Sequence, residues 1–341
     1  MFNKKITAAM FGIAMAASCL TGCSSDNNST DNAVKVKTSS PKASKSYSIV
    51  CTIFPEYDWV KEIIGDHSDN IEMSYLLDSG IDLHNYQPTT DDIIKISNCD
   101  LFVYVGGESD KWVEDAVAQA TNKDMKVINL MDILGDSAKV EELKEGMQGE
   151  EEEADEEEEE EGPEYDEHVW LSVKNAKLLC AEIENNVEAM DTANASDYKS
   201  NLDSYISKLN ELDNKFQALA DSAKENTLIF GDRFPFRYFV DDYGFDYFAA
   251  FIGCSAESEA SFETIKFLSD KIKELDCKTV FTLENSNKDI ADSIITNSGQ
   301  KDVKIAELNS LQSVSKDDIK SGVSYISLMQ KNYDVLESAL K

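Results

Sequence analysis

Apolar residues fall along this chain in short runs separated by stretches of helical spacing. Tyr47 to Phe54 reads as a β-like run that stops at Pro55, and a helical pattern follows from Glu56 to Ile64. Ile71 to Leu77 predicts a second strand, Thr90 to Ser97 a short helix with Thr89, Thr90 and Asp91 available as caps, and Leu101 to Val105 a third strand ending in Gly106-Gly107. A helix over Asp110 to Ala120 and a strand over Met125 to Asn129 continue the alternation. Short apolar strands alternating with helices predict β-α units on a mainly parallel sheet.

The rhythm then breaks. Glu150 to Glu161 is almost wholly acidic and is closed by Gly162-Pro163. Like charges at that density repel and stay solvated, either as a plain exposed loop or as one that gathers cations. Ser172 to Val187 and Asp197 to Ala223 are helical in spacing and contain neither glycine nor proline, as expected of a rigid strut. Beyond them the β-α alternation returns: strands at Thr227–Phe230, Asp246–Phe251, Thr279–Leu283 and Val303–Ala306, helices at Phe236–Asp242, Ser261–Leu275, Asp289–Asn297 and Gly322–Leu340. The predicted fold is α/β: two lobes, each a mainly parallel sheet with flanking helices, joined by a long rigid helix.

The first 46 residues differ in texture. Lys4 and Lys5 precede an Ala- and Met-rich run from Ile6 to Leu20, then Leu20-Thr21-Gly22-Cys23. A charged start, a short apolar core and small residues at a cut site mark a secretory signal, and the run is shorter than the roughly 20 residues a spanning helix needs. The tetrapeptide resembles a bacterial lipobox, which implies cleavage before Cys23 and lipid on its sulfur. The segments expected are thus a signal peptide over 1–22, a Ser-, Asn- and Lys-rich tether over 23–46, a first lobe over 47–171 carrying an acidic loop at 145–165, a helical connector over 172–224 and a second lobe over 225–341. Such a tether spans about 25–30 Å as a coil, so the protein should sit on the outer face of the membrane.

A net charge of −34, from 32 basic and 66 acidic residues, excludes nucleic-acid binding, which requires a basic surface. Of seven cysteines, Cys51, Cys99, Cys180, Cys254 and Cys277 remain after the signal and the lipidated residue are set aside. They are odd in number and irregular in spacing, with no C-x-x-C pair, so they read as buried single residues, with room for one disulfide. No Gly-x-Ser-x-Gly elbow, P-loop or His-Glu-x-x-His helix is present, so the expectation is a binding protein rather than an enzyme.

Three histidines are available. His67 lies in a turn after a helix and reads as a surface residue. His84, in Gly80-Ile81-Asp82-Leu83-His84-Asn85-Tyr86-Gln87-Pro88, and His168, in Asp166-Glu167-His168-Val169-Trp170-Leu171, both fall in loops. Loops at the carboxyl ends of parallel strands are where open α/β folds bind ligands, and neutral imidazoles suit zinc and its neighbours.

These two segments, together with Asp100–Gly107 followed by Trp112, and Tyr238-Phe239, Tyr243-Gly244 and Glu257–Ser261, resemble the zinc- and manganese-binding lipoproteins of ABC transporters. The resemblance covers about residue 47 to the end, with Leu83 where the family usually has proline. It implies a divalent ion, zinc first and manganese next, held between two lobes and passed to an ABC permease by a monomeric protein. It also implies His84 and His168 as ligands. Five residues before the Tyr-Phe pair, where the family has His or Glu, stands Arg233, which cannot ligate. Asp232 is the expected substitute and Glu284 the final acid, with Asp289 in its place if the match shifts. Two other readings compete: the same scaffold turned to an anionic or chelate ligand facing Arg233 and Arg237, and a metal-dependent hydrolase.

Overall fold

A computed structural model describes residues 46–149, 164–255 and 259–341. The signal peptide, Cys23 and nearly all of the tether lie outside the described residues, as does the acidic run itself. The described chain from Ser46 belongs to one compact unit.

The first sheet forms where the sequence alternates fastest. Strand β1 (Tyr47–Cys51) is followed by helix α1 (Phe54–Ile64), β2 (Ile71–Tyr75), α2 (Thr90–Asn98), β3 (Leu101–Tyr104), α3 (Trp112–Ala118), β4 (Lys126–Asn129) and the short α4 (Leu130–Leu134). β1 stops three residues earlier than its apolar run predicts, because Pro55 starts a helix instead of ending a strand. Its fixed φ suits the first turn, and the buried Glu56 carboxylate accepts the backbone N–H groups of Thr52 and Ile53 at 2.9 and 3.2 Å. Helix α2 begins as its sequence suggests, with Thr89 and Asp92 capping each other.

Helices α5 (Val173–Met190) and α6 (Ala195–Ser222) fold back on one another as the connector. The second lobe runs β5 (Thr227–Phe234), α7 (Arg237–Tyr243), β6 (Asp246–Ile252), α8 (Phe262–Leu275), β7 (Thr279–Leu283), α9 (Asp289–Ser298), β8 (Lys304–Leu308), α10 (Lys316–Lys320) and α11 (Tyr325–Leu340). β5 extends four residues past its predicted end, through an irregularity in pairing between Phe230 and Arg233. Among the described residues both sheets are four-stranded and wholly parallel, in the orders β2-β1-β3-β4 and β6-β5-β7-β8. The two halves therefore share one topology without sharing a sequence repeat, and each reverses direction beside its first strand, where a crevice opens at the carboxyl ends.

One apolar core joins the lobes. Ile49, Phe102, Trp170, Leu209, Phe216, Phe230, Phe281 and Tyr325 belong to a single buried cluster, while a smaller one lies between the second sheet and α8 and α9. Polar bonds cross the same seam: the Trp170 indole N–H donates to the Ser310 carbonyl at 2.8 Å, the Tyr75 hydroxyl to the Val314 carbonyl at 2.8 Å, and the Tyr325 N–H to the buried Asp58 carboxylate at 2.8 Å.

The segments on either side of the acidic run pair with each other, the Asp166 N–H donating to the Lys139 carbonyl and the Glu141 N–H to the Glu164 carbonyl, both at 2.9 Å. Gln148 adds to the edge of the second sheet beside Phe251. The stalk of the acidic run is thus rooted on both lobes, with its base next to His168.

Candidate metal centre

His84 projects from a single 3-10 turn, Leu83–Asn85, that Asp82 caps by accepting the His84 N–H at 3.1 Å. Its ring Nδ1 lies 2.8 Å from the Ser109 hydroxyl, in the loop after β3. That loop begins with Gly106-Gly107, and Gly107 (φ +84°) leaves room for Glu167, whose Oε1 would lie 2.5 Å from any Cβ there. Glu167 accepts the Ser109 N–H at 2.7 Å, and its other oxygen is 3.7 Å from His84 Nδ1. Gly107, Ser109 and Glu167 together fix the angle of the His84 ring.

His168 is fully buried. Asp166 accepts both its backbone N–H, at 2.8 Å, and its ring Nδ1–H, at 3.0 Å. A carboxylate only accepts, so Nδ1 carries the proton and Nε2 is left for a ligand. The Tyr238 hydroxyl holds the Asp166 carbonyl at 2.8 Å, so the second lobe secures this loop as well.

The two imidazoles meet at 3.2 Å, Nε2 to Nε2. Two bare lone pairs repel at that separation, so the arrangement suits a shared cation or proton. The surroundings treat the two rings differently, and His168 is the more basic. Burial works to depress it, but Asp166, by charge and hydrogen bond, and then Glu167 hold it above the usual imidazole value. Burial drives His84 the other way, to about 3, with His168 adding to the shift. The separation is close to the about 3.3 Å edge of a tetrahedron with metal–nitrogen bonds of about 2.0–2.1 Å.

The structure brings His84 and His168 together; it does not bring Asp232, Glu284 or Asp289 to them. Asp232 accepts the Arg233 N–H at 2.9 Å and the Leu283 N–H at 3.0 Å, bridging the irregular end of β5 to β7. Glu284 accepts both the N–H and the hydroxyl of Ser310 at 2.7 Å. Asp289 is exposed at the first turn of α9. Among the described residues, the His, Cys, Asp and Glu atoms that could share an ion are those of His84, His168 and Cys254, all within 4.8 Å of one another.

Cys254 follows β6 at the carboxyl end of the second sheet. Gly253 before it packs against the His168 ring, where a Cβ would lie 3.0 Å from Cε1. The Cys254 N–H donates to Glu141, in the stalk of the acidic run, at 3.2 Å. Burial, then Asp166 and Glu141, push the thiol well above its ordinary value. Spacing could not reveal this residue, since it has no cysteine partner; the signal was position, in Ile252-Gly253-Cys254-Ser255 at the end of a parallel strand. The five described cysteines are unpaired, so the disulfide left open by composition does not form among them.

Arg233 points into the crevice but ligates nothing. Its Nη2 lies 2.6 Å from Asp82 Oδ2, a bond from β5 to the loop that carries His84. Burial alone would raise Asp82; Arg233 and then His84 hold it below the ordinary range. Arg237 is engaged by Asp241 and by Glu142, the latter at 3.5 Å. Both guanidiniums thus already face carboxylates of the protein.

Comparison with known proteins agrees with this architecture. The family model described as zinc-uptake complex component A, periplasmic, matches residues 49–339. The chain is 31% identical over 292 residues to the high-affinity zinc uptake system protein ZnuA of Bacillus subtilis, covering 86% of this chain and 87% of that one. It is 28% identical over 292 residues to the zinc-binding protein AdcA of Streptococcus pyogenes, across 84% of this chain and 55% of that one. The chain thus spans about half the length of the AdcA relatives it matches. Among solved structures, the Zn(II)-bound ZnuA-like domain of Streptococcus pneumoniae AdcA superposes with a TM-score of 0.67 at 27% identity, over 86% of this chain and 99% of that one. The metal-dependent lipoprotein YcdH of Bacillus subtilis does so at 0.69 and 26%, over 86% and 99%. From the shared topology, the paired imidazoles at the seam and a match along nearly the whole described chain, the protein belongs to the zinc-uptake complex component A family, whose members are metal-binding transport components rather than enzymes.

Proposed function

We propose that this protein captures a divalent metal ion, zinc, outside the cytoplasm and delivers it to an ABC permease. The observation that carries the reading is the 3.2 Å approach of two separately oriented Nε2 atoms, of half-buried His84 and buried His168, from loops 84 residues apart. Asp166 and Ser109 hold the far nitrogens, so both lone pairs turn to one point, the arrangement in which outer hydrogen bonds fix metal-binding imidazoles. The surrounding carboxylates, Asp82, Asp166 and Glu167, favour the added positive charge. Imidazoles suit zinc better than manganese, which prefers oxygen donors.

The lipobox-like Leu20-Thr21-Gly22-Cys23 supports export and anchoring through Cys23, with the tether holding the binding unit near a permease. The segments proposed are those of the sequence: signal 1–22, tether 23–46, lobes 47–171 and 225–341, connector 172–224. Calorimetry on the double variant H84A/H168A tests the function. Tight zinc binding should be abolished, and an unchanged affinity would end the proposal.

A further inference from the structure

The crevice offers a sulfur where oxygen donors were expected. Asp232 and Glu284 spend their oxygens on backbone and hydroxyl donors, and Arg233 holds Asp82 from the far side. What the second lobe sends to the two imidazoles is the sulfur of Cys254. It arrives there because Gly253, with no Cβ, lets the end of β6 lie against the His168 ring. We infer that Cys254 is the second lobe's metal ligand, and that the resulting set of two imidazoles and one thiolate selects thiophilic ions such as zinc over manganese. The inference rests on the reading that His84 and His168 hold the ion.

The geometry admits this. In a tetrahedral site with metal–nitrogen bonds of about 2.0–2.1 Å and a metal–sulfur bond of about 2.3 Å, nitrogen and sulfur lie about 3.6 Å apart. The present atoms lie within 4.8 Å, and rotation of the short cysteine side chain can close the difference. On binding, the S–H bond breaks, its electron pair stays on sulfur and becomes the sulfur–metal bond, and the proton leaves to solvent. Three protein ligands leave one coordination position open, as suits an ion that must be handed on. The selectivity follows from donor softness: thiolate favours zinc, whereas manganese suits carboxylate, carbonyl and water.

Cobalt(II) spectroscopy on the full chain tests this. Cobalt should give visible d–d bands together with a near-ultraviolet thiolate-to-cobalt charge-transfer band. Cys254→Ser should lose the charge-transfer band and keep d–d bands, while its zinc affinity falls by more than about 100-fold, beyond the loss typical of an outer-shell partner. Cys254→Asp should raise the ratio of manganese to zinc affinity relative to wild type. Absence of the charge-transfer band from wild type, or its survival in Cys254→Ser, would overturn the assignment. If d–d bands are present and vanish in H84A/H168A, the two-imidazole site stands and only the role of Cys254 falls. If neither band appears in any variant, the underlying reading falls with it.

Discussion

Arg233 puts a fixed positive charge beside a site for a cation, and its removal should therefore tighten binding. The guanidinium lies 2.6 Å from Asp82, and the other Asp82 oxygen lies 4.0 Å from His84 Nε2. At roughly 8 Å from a divalent ion, with an effective dielectric of about 40 for this partly exposed pair, the repulsion is about 2 kcal/mol. Replacing Arg233 with Met keeps the bulk and removes the charge, and should strengthen zinc binding by about 30-fold. Asp82→Asn acts in the opposite sense and from closer range: at roughly 5 Å the lost attraction is about 3 kcal/mol, a weakening of more than about 100-fold. The double variant, with neither charge, should lie between the two. Competition with a chromophoric chelator at low ionic strength measures all four proteins, and added salt should shrink the spread. Thermal melts of the metal-free forms show whether each remains folded. Weaker binding by folded Arg233→Met would refute the argument, for it would mean that the bond to Asp82 matters as a clamp and the charge does not.

Ser109→Ala removes the partner that orients the His84 ring and should lower zinc affinity by about 10–100-fold with little change in melting temperature; unchanged affinity would show that Glu167 alone suffices. Gly253→Ala drives a methyl against the His168 ring and the Phe234 carbonyl, both at 3.0 Å, and titration should show weakened metal binding beyond any loss of stability. Asp58, Asp110 and Glu141 are held at about 6, 7 and 7, chiefly by burial, against unfolded values near 4. Their folded forms keep the proton, so the stability it confers is full at low pH and is lost as pH rises through 6 to 7. His84, held down, works the other way, but only below about pH 6.5. The melting temperature of the metal-free protein should therefore fall between pH 6.5 and 8, and a rise would contradict these environments. Asp58→Asn should stabilise the neutral-pH protein by up to roughly 3 kcal/mol in denaturant titration, because the amide carbonyl can still accept the Tyr325 N–H without a buried charge.

Much of the fold was legible because strand and helix periods differ and the central strands β1, β3, β5 and β7 are buried over most of their length. The predicted elements from β2 to α11 lie within a few residues of their expected spans, but α4 and α10 were not expected. The departures have local causes. Pro55 reads as a strand stop until the Glu56 cap is seen, and α4 and α10, five residues each, are too short to show a period. His84 and His168 stood out by chemistry and position. The second lobe's contribution did not, because side-chain commitments are tertiary facts. Nothing along Phe230–Phe239 states that Asp232 will cap the end of β7, or that Arg233 will reach Asp82. Cys254 looked like one inert thiol among five until β6 was placed beside His168.

The core shared by both halves bears on how cargo could leave. Swinging the halves apart like a book would strip Trp170 from Ser310 and Tyr75 from Val314, each such bond being worth about 0.5–1.5 kcal/mol net, and would wet the aromatic packing beneath them. Movement at the rim, at the turn over Leu83–Asn85 or the strand end at Gly253, would instead break local ties, the Asp82–Arg233 bond and the packing of Gly253 on the His168 ring. Movement confined to those contacts would leave the spine intact, so a carrier of the proposed kind could empty and refill without rebuilding its core.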